Sequence, residues 1–314
     1  MTARLILNPY AGRWKALRAR GQVEAACAEA GIEYELTVTG APGEGIAIAR
    51  QAVLDGYSPI VAVGGDGTIS EVVNGMLEAS GGERPPAPLG VIPLGSADDL
   101  ADMLGIPKEV AAACRVIAAG HERVIDAGRV NGRYFDNNSA VGLEPLVTLN
   151  QMRMKRVKGT LRYVLAALKA ILGHRPWRMH LQWDGGEHEG RVVLVSVGNT
   201  PRTGGAFFMT PQAQPDDGLF DFIFAESMGR LRLLRLLPST FDGSHIGHPK
   251  IHCQQTTRLT IDCDHPTPIH ADGELFELAA THITYELLPA RLRVLVPAPS
   301  DKLWLDWRVR REDE

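Results

Sequence analysis

Between residues 60 and 78 the chain passes through an apolar run, Ile60-Val61-Ala62-Val63, and a glycine-rich turn, Gly64-Gly65-Asp66-Gly67-Thr68. A segment follows in which Ile69, Val72, Val73, Met76 and Leu77 are apolar. The run before the turn has the length of a buried strand. The i, i+3, i+4, i+7, i+8 spacing after it predicts a helix with one buried face. A strand that turns through glycines straight into a helix is the repeating unit of a parallel α/β sheet. The neighbouring sequence repeats the alternation: strands are predicted at Arg4–Leu7, Tyr34–Val38 and Leu89–Pro93, and helices near Trp14–Ala30, Gly45–Leu54 and Asp98–Leu104.

From about Val124 the pattern changes. Val124–Val130 and Arg133–Asn137 flank Asn131-Gly132, the dipeptide that favours a two-residue hairpin turn. Strand-like segments follow at Arg178–Trp183, Arg191–Val197, Leu219–Phe224, Arg258–Cys263, His282–Leu287 and Leu292–Val296, interrupted by helical patterns near Lys158–Leu172 and Met228–Leu237. A chain of 314 residues is more than one core comfortably fills. The expected fold class is α/β plus all-β, with a Rossmann-like parallel domain over residues 1–124 and a β-rich domain over 125–290.

The Gly64–Thr68 turn sits where parallel sheets bind anions. Glycines let the backbone approach a phosphate, and the first amides of the following helix face it with the positive end of the helix dipole behind them. Two other strand ends carry comparable turns, Asn8-Pro9-Tyr10-Ala11-Gly12 and Gly95-Ser96-Ala97-Asp98-Asp99, so three loops at one sheet edge are expected to converge on one nucleotide. Neither GxxxxGK[ST] nor GxGxxG occurs, so the commonest nucleotide folds are not supported.

A formal charge of -4 argues against nucleic acid as a partner. The four cysteines lie far apart, form no CxxC pair and read as reduced cytoplasmic thiols. No signal peptide is recognisable, and no apolar run approaches the roughly 20 residues that span a bilayer. His245, His248, His252, Cys253, Cys263 and His265 gather loosely in sequence, at spacings that fit no zinc pattern.

The three turns, together with Glu71, Asn74-Gly75 and Pro93-Leu94-Gly95-Ser96, resemble the diacylglycerol kinase catalytic family. The resemblance continues through Asn138…Gly142, Asn199…Gly204-Gly205, Pro211…Ala213…Asp217-Gly218-Leu219-Phe220-Asp221 and Asp272-Gly273-Glu274, in order and over nearly the whole chain. Bacterial members of that family are soluble lipid kinases related to sphingosine and ceramide kinases. The resemblance implies a nucleotide domain, a β-sandwich second domain, a cleft between them, and a C-terminal segment, here 291–314, that returns to the first domain. It implies transfer of the γ-phosphoryl group of ATP, with Mg²⁺, to a lipid hydroxyl, diacylglycerol foremost. Nucleotide contacts carry over to Asn8, Pro9, Gly12, Gly64, Gly65, Asp66, Gly67, Thr68, Glu71, Gly95, Ser96 and Asp98. At Asp98 the family pattern has asparagine; the added negative charge near phosphates requires Mg²⁺ or a proton to offset it.

Phosphoryl transfer needs positioning, charge neutralisation and a group that takes the hydroxyl proton. Asp66, inside the phosphate turn, is a candidate for holding Mg²⁺. Asp272-Gly273-Glu274 presents two acids in one tight turn, and the resemblance makes Glu274 the general base with Asp272 beside it. Asp217, completed by backbone carbonyls such as that of Leu219, resembles the family's structural Mg²⁺ or Ca²⁺ site.

A lipid substrate implies transient contact with the membrane surface from the cytoplasm. Met228–Leu237 sets Leu233, Leu234 and Leu237 opposite Arg232 and Arg235, and Met152–Arg162 carries Arg153, Lys155, Arg156, Lys158 and Arg162, so both are candidate contacts. The sequence leaves a homodimer open. Two alternatives stand beside the lipid kinase: an NAD kinase, which shares the Gly-Gly-Asp-Gly turn, and a non-catalytic nucleotide-binding regulator.

Overall fold

A computed structural model describes residues 1–154, 159–173 and 175–298 and divides into two compact units, Met1–Ile125 with the segment from Ala290 onward, and Asp126–Pro289. The basic residues Lys155, Arg156 and Lys158, the side chain of Arg162, and the C-terminal stretch beyond residue 298 lie outside the described residues.

In the first unit a parallel sheet is built from β1 (Ala3–Leu7), β2 (Tyr34–Val38), β3 (Ile60–Gly64) and β4 (Leu89–Pro93), in spatial order β2-β1-β3-β4. Val294, from the end of the last strand of the chain, pairs with Leu89 in parallel. Leu7 lies opposite Val63, and Gly64 opposite Pro93, so β1, β3 and β4 end side by side and their following loops are neighbours. The β3 and β4 strands are buried at every position, as their continuous apolar sequence requires of a sheet covered on both faces.

Among the described residues five helices accompany this sheet: α1 (Ala11–Glu29), α2 (Glu44–Leu54), α3 (Asp66–Ala79), α4 (Asp99–Met103) and α5 (Val110–Ala119). Helix α1 begins irregularly, with Gly12, Arg13 and Trp14 all left-handed at φ 56°, 58° and 70°. Helix α3 is buried from Thr68 through Leu77, more completely than a single apolar face implies. Helix α5 lies outside the expected elements, although Val110, Ala113, Cys114 and Ile117 form a buried i, i+3, i+4, i+7 stripe in its alanine-rich sequence. Its ends are also marked: the Glu109 carboxylate accepts from the amides of Ala111 and Ala112, and Gly120 closes the helix at φ 71°. Between α1 and α5 the buried Cys27 and Cys114 sulfurs stand 3.7 Å apart as free thiols.

The second unit is a β-sandwich with helical inserts. The hairpin of β5 (Glu122–Val130) and β6 (Arg133–Phe135) turns through Asn131 and Gly132, both at positive φ, as expected of that dipeptide. The other strands are β7 (Asn138–Gly142), β8 (Trp177–Trp183), β9 (Gly186–Gly198), β10 (Phe220–Glu226), β11 (Ile251–Thr256), β12 (Arg258–Ala271) and β13 (Glu274–Leu295). Strands β9 and β12 are each shared, one part pairing with β8 and the other with β7. Inside lie Phe135, Phe220, Phe222, Tyr285 and a set of aliphatic residues from these strands.

Helices α6 (Leu143–Arg153), α7 (Gly159–Gly173) and α8 (Arg230–Leu236) accompany the strands. Strands β7 and β11 and helix α6 went unread. Strand β7 is five small or polar residues, β11 is largely polar, and α6 spreads its apolar residues around its circumference, so none shows a period. The segments His282–Leu287 and Leu292–Val296, read as two strands, belong to the single long β13 apart from the final Val296.

Candidate active site

In the first unit the loops after β1, β3 and β4 meet backbone to backbone. A Cβ on Gly65 would stand 2.8 Å from the Gly95 Cα, and one on Gly95 would stand 2.5 Å from the Gly65 Cα. Only glycine at both positions permits that approach. A Cβ on Gly12 would strike the Leu94 carbonyl, which joins the first loop to the same contact. Asn8 shapes that loop by accepting, at Oδ1, the Tyr10 amide at 3.0 Å, and Pro9 is buried beneath it.

Asp66 fastens the second loop to the third. Its Oδ2 accepts from the Asp98 amide at 2.9 Å and its Oδ1 from the Asp99 amide at 2.6 Å. Burial raises the Asp66 carboxyl above its ordinary value, and these same amides oppose the rise. Asp98 is left-handed at φ 57°, a conformation asparagine and aspartate tolerate well, and its Oδ1 accepts from the Gly95 amide at 2.9 Å. Burial first, and the Asp66 charge second, push the Asp98 carboxyl up to about 6. The aspartate thus keeps the geometry an asparagine would have here, at the expense of an easily protonated acid.

The remaining nucleotide candidates divide into two groups. Gly64, Gly65, Gly67, Gly95 and the exposed Ser96 lie on the converging loops. Thr68 is 2% exposed, with its side chain folded into the space that a Gly64 Cβ would fill. Glu71 is also buried, and its carboxylate accepts from the Gly43 amide at 2.8 Å and the Gly45 amide at 2.9 Å. Those bonds fix the loop leading into α2, so Glu71 supports the site through the backbone.

The second unit carries the other acids. Asp272 and Gly273, both at positive φ, form the tight turn between β12 and β13. Asp272 is buried: its Oδ1 accepts from the Asn137 and Asn138 amides at 3.0 and 3.2 Å, and its Oδ2 from the Asp136 amide at 3.3 Å. Those bonds make it an anchor for the start of β7. Glu274, in the same turn, is the more accessible acid, with 43% of its side chain exposed and the Arg133 guanidinium 3.4 Å away.

Asp217 is exposed and accepts the Leu219 amide at 3.0 Å, while Asp126 accepts the Gly218 amide at 2.8 Å. Burial, then the neighbouring charges of Asp126 and Asp216, raise the Asp217 carboxyl. Mutual repulsion among oxygen donors suits a hard divalent cation. Among the described residues no three His, Cys, Asp or Glu side chains could hold a metal together, so backbone oxygens such as that of Leu219 would have to complete the shell.

An apolar cavity of about 90 Å³ in the same unit was not foreseen from sequence. Helices α6, α7 and α8 wall it with Val147, Ala167, Ile171 and Leu233, against Leu194 of β9 and Ile223 of β10. His245, from the loose histidine group, is buried in its wall and bonds to the Met209 carbonyl, while His252 pairs with Glu226. The outer side of α8 exposes Leu231, and beside it Arg232, Arg235 and Lys250 border an open groove. No described helix is long and apolar enough to cross a membrane.

The comparisons with known proteins agree with this layout. Residues 2–130 match the diacylglycerol kinase catalytic domain, and residues 138–296 match the YegS C-terminal NAD kinase beta sandwich-like domain. A diacylglycerol kinase of Bacillus subtilis strain 168 is 32% identical over 274 residues, covering 87% of this chain and 89% of its own. One from Staphylococcus aureus strain MRSA252 is 30% identical over 274 residues, covering 87% and 85%. A crystal structure of a diacylglycerol kinase from Bacillus anthracis strain Sterne superposes with a TM-score of 0.72 at 21% identity, covering 94% and 97%. Another from that strain gives 0.76 at 22%, covering 94% and 95%, a likeness of fold. With the catalytic-domain match on the first unit, the sandwich match on the second, and identity sustained along most of both relatives, the chain belongs to the diacylglycerol kinase family.

Proposed function

We propose that this kinase transfers the γ-phosphoryl group of ATP to the hydroxyl of a lipid, diacylglycerol in the first instance, yielding phosphatidic acid. The observation that carries the reading is the contact of Gly65 with Gly95, secured by Asp66, which gathers three loops at the ends of β1, β3 and β4. Backbone amides and the α3 N-terminus there suit a triphosphate. Asn8, Pro9, Gly12, Gly64, Gly65, Gly67, Gly95 and Ser96 hold the nucleotide. Asp66, Thr68 and Asp98 keep those loops in place, and Glu71 holds the neighbouring loop that leads into α2.

Glu274 takes the proton of the acceptor hydroxyl, with Asp272 fixing the turn that presents it. Mg²⁺ supplies neutralisation of phosphate charge when bound. Asp217 and the Leu219 carbonyl hold a divalent cation in the second unit. The apolar cavity behind α8 receives part of a lipid chain, and Leu231, Arg232 and Arg235 meet an anionic membrane surface from the cytoplasm.

The test is transfer of radiolabelled phosphate from ATP to lipid, with diacylglycerol and NAD offered in parallel. The NAD arm is warranted because the family matched by residues 138–296 is described as NAD kinase beta sandwich-like. Labelled phosphatidic acid supports the proposal. Labelled NADP replaces it with the NAD kinase reading, and no transfer with intact ATP binding leaves a nucleotide-binding regulator.

A further inference from the structure

Glu274 opens β13 from the turn that follows β12, and 43% of its side chain is exposed. A glutamate so placed has three rotatable bonds and several staggered rotamers open to it. A general base, in contrast, works only while its carboxylate stays within hydrogen-bond reach of the hydroxyl it deprotonates. The second unit meets that need from a neighbouring element. Arg133, the first residue of β6, brings Nη2 to 3.4 Å from Oε2 of Glu274, and only 20% of its side chain is exposed.

The backbone that carries Arg133 is tied to the β12–β13 hairpin on both sides of it. Before it, Asn131 donates from Nδ2 to the Glu277 carboxylate at 3.0 Å and to the His282 carbonyl at 3.2 Å, and its Oδ1 accepts the Thr284 amide at 2.9 Å. After it, the amides of Asp136, Asn137 and Asn138 donate to Asp272. Between these ties Phe135 is fully buried, with its ring 5.5 Å from that of Phe220 and 6.2 Å from that of Tyr285. The segment from Asn131 to Asn138 therefore cannot drift from the turn that presents Glu274 without breaking bonds to β13 or to Asp272. An ion pair of this exposure contributes little to folding. What it does supply is a bias on the direction of the glutamate.

We infer that Arg133 is the positioning residue of Glu274: mounted on a segment bonded at both ends to the same hairpin, its guanidinium holds the carboxylate in the direction from which it takes the acceptor proton. The inference rests on the reading of Glu274 as the general base, and Arg133 acts through Glu274.

The experiment is steady-state phosphate transfer by the full chain from ATP to diacylglycerol in detergent micelles, with urea unfolding alongside. Arg133→Met keeps the stem and removes the charge. It should lower kcat about fivefold, the population bias that an exposed ion pair supplies. KM for ATP and for diacylglycerol should stay within about twofold, and the urea midpoint close to that of the parent. Arg133→Lys brings a cation to the same carboxylate and should recover kcat to within about twofold. In a Glu274→Gln background no base remains to be placed, so adding Arg133→Met should change the residual turnover by less than about twofold. An unchanged kcat in Arg133→Met overturns the inference, as does a lysine variant that recovers nothing. A loss that persists undiminished in the Glu274→Gln background also overturns it, because the arginine is then structural. All three results leave the lipid-kinase proposal standing. Near-normal turnover of Glu274→Gln by itself, or no transfer by the parent, brings down the reading beneath and the inference with it. Should Arg133→Met not fold, Arg133→Gln, also uncharged, takes its place.

Discussion

The contact between Gly65 and Gly95 can be tested by adding one methyl group. In Gly65→Ala the new Cβ stands 2.8 Å from the Gly95 Cα, whereas non-bonded carbons sit at roughly 3.5 Å or more. The loops must therefore part by about 0.7 Å, and neither partner is a flexible side chain that could swing aside. If the movement falls on the Asp66 clamp, its 2.9 Å bond to the Asp98 amide lengthens to about 3.6 Å, beyond hydrogen-bond range. Stability should fall by about 1–3 kcal/mol, the usual result of overpacking. ATP affinity should fall at least tenfold, and turnover by about a hundredfold, since a shift approaching 1 Å in positioning groups has roughly that effect. Urea unfolding, ATP titration and phosphate transfer measure the three quantities. Gly21→Ala is the control: it lies exposed on α1 with nothing within 4 Å of the added methyl, and should stabilise slightly. An unfolding midpoint and ATP affinity in Gly65→Ala equal to those of the parent would refute the idea that these two loops share one site.

Three further variants probe the site and its surroundings. The Asp98 carboxyl, pushed up to about 6 from an ordinary 3.8, supports the fold only while protonated; that contribution is complete below about 3.8 and lost as pH rises through about 6. Asp98→Asn should therefore be more stable than the parent near neutral pH by about 1–2 kcal/mol. The gap should close toward about pH 4 in urea unfolding; a gap that widens in acid contradicts the assignment. Glu274→Gln should retain ATP affinity while turnover drops by about 10²–10⁴-fold, and near-normal turnover would remove Glu274 from the chemistry. Replacing Arg232 and Arg235 by glutamate should weaken flotation with anionic vesicles by about 1 kcal/mol per lost cation at low salt, and salt-insensitive binding by the parent would count against the α8 contact.

Much of the first unit could be read because its signals are local. The strands are short apolar runs, and the turns are glycines in fixed places between a strand and a helix, so β1 to β4 and α1 to α4 fell close to their expected positions. The convergence of three loops followed from parallel topology alone. What could not be read is where the acids point. Asp66 and Asp272 look alike as carboxylates in glycine-rich turns and Glu71 as one on the helix that follows, yet each binds backbone amides of a segment distant in sequence. Side-chain direction of that kind depends on tertiary contacts that no periodicity encodes. The apolar cavity was hidden for the same reason: its walls come from α6, α7, α8 and three strands, and α6 carries no apolar stripe to announce it.

The left-handed start of α1 bears on how this sequence can drift. Arg13 and Trp14 are exposed, and exposed side chains are ordinarily free to change. Here the backbone removes that freedom, because a left-handed residue other than glycine is disfavoured by about 1–2 kcal/mol and a branched Cβ worsens it. Replacement by glycine, asparagine or aspartate is therefore accommodated, while valine, isoleucine and threonine are selected against. Two positions at the rim of the converging loops thus evolve with the restraint of interior residues, though both are exposed.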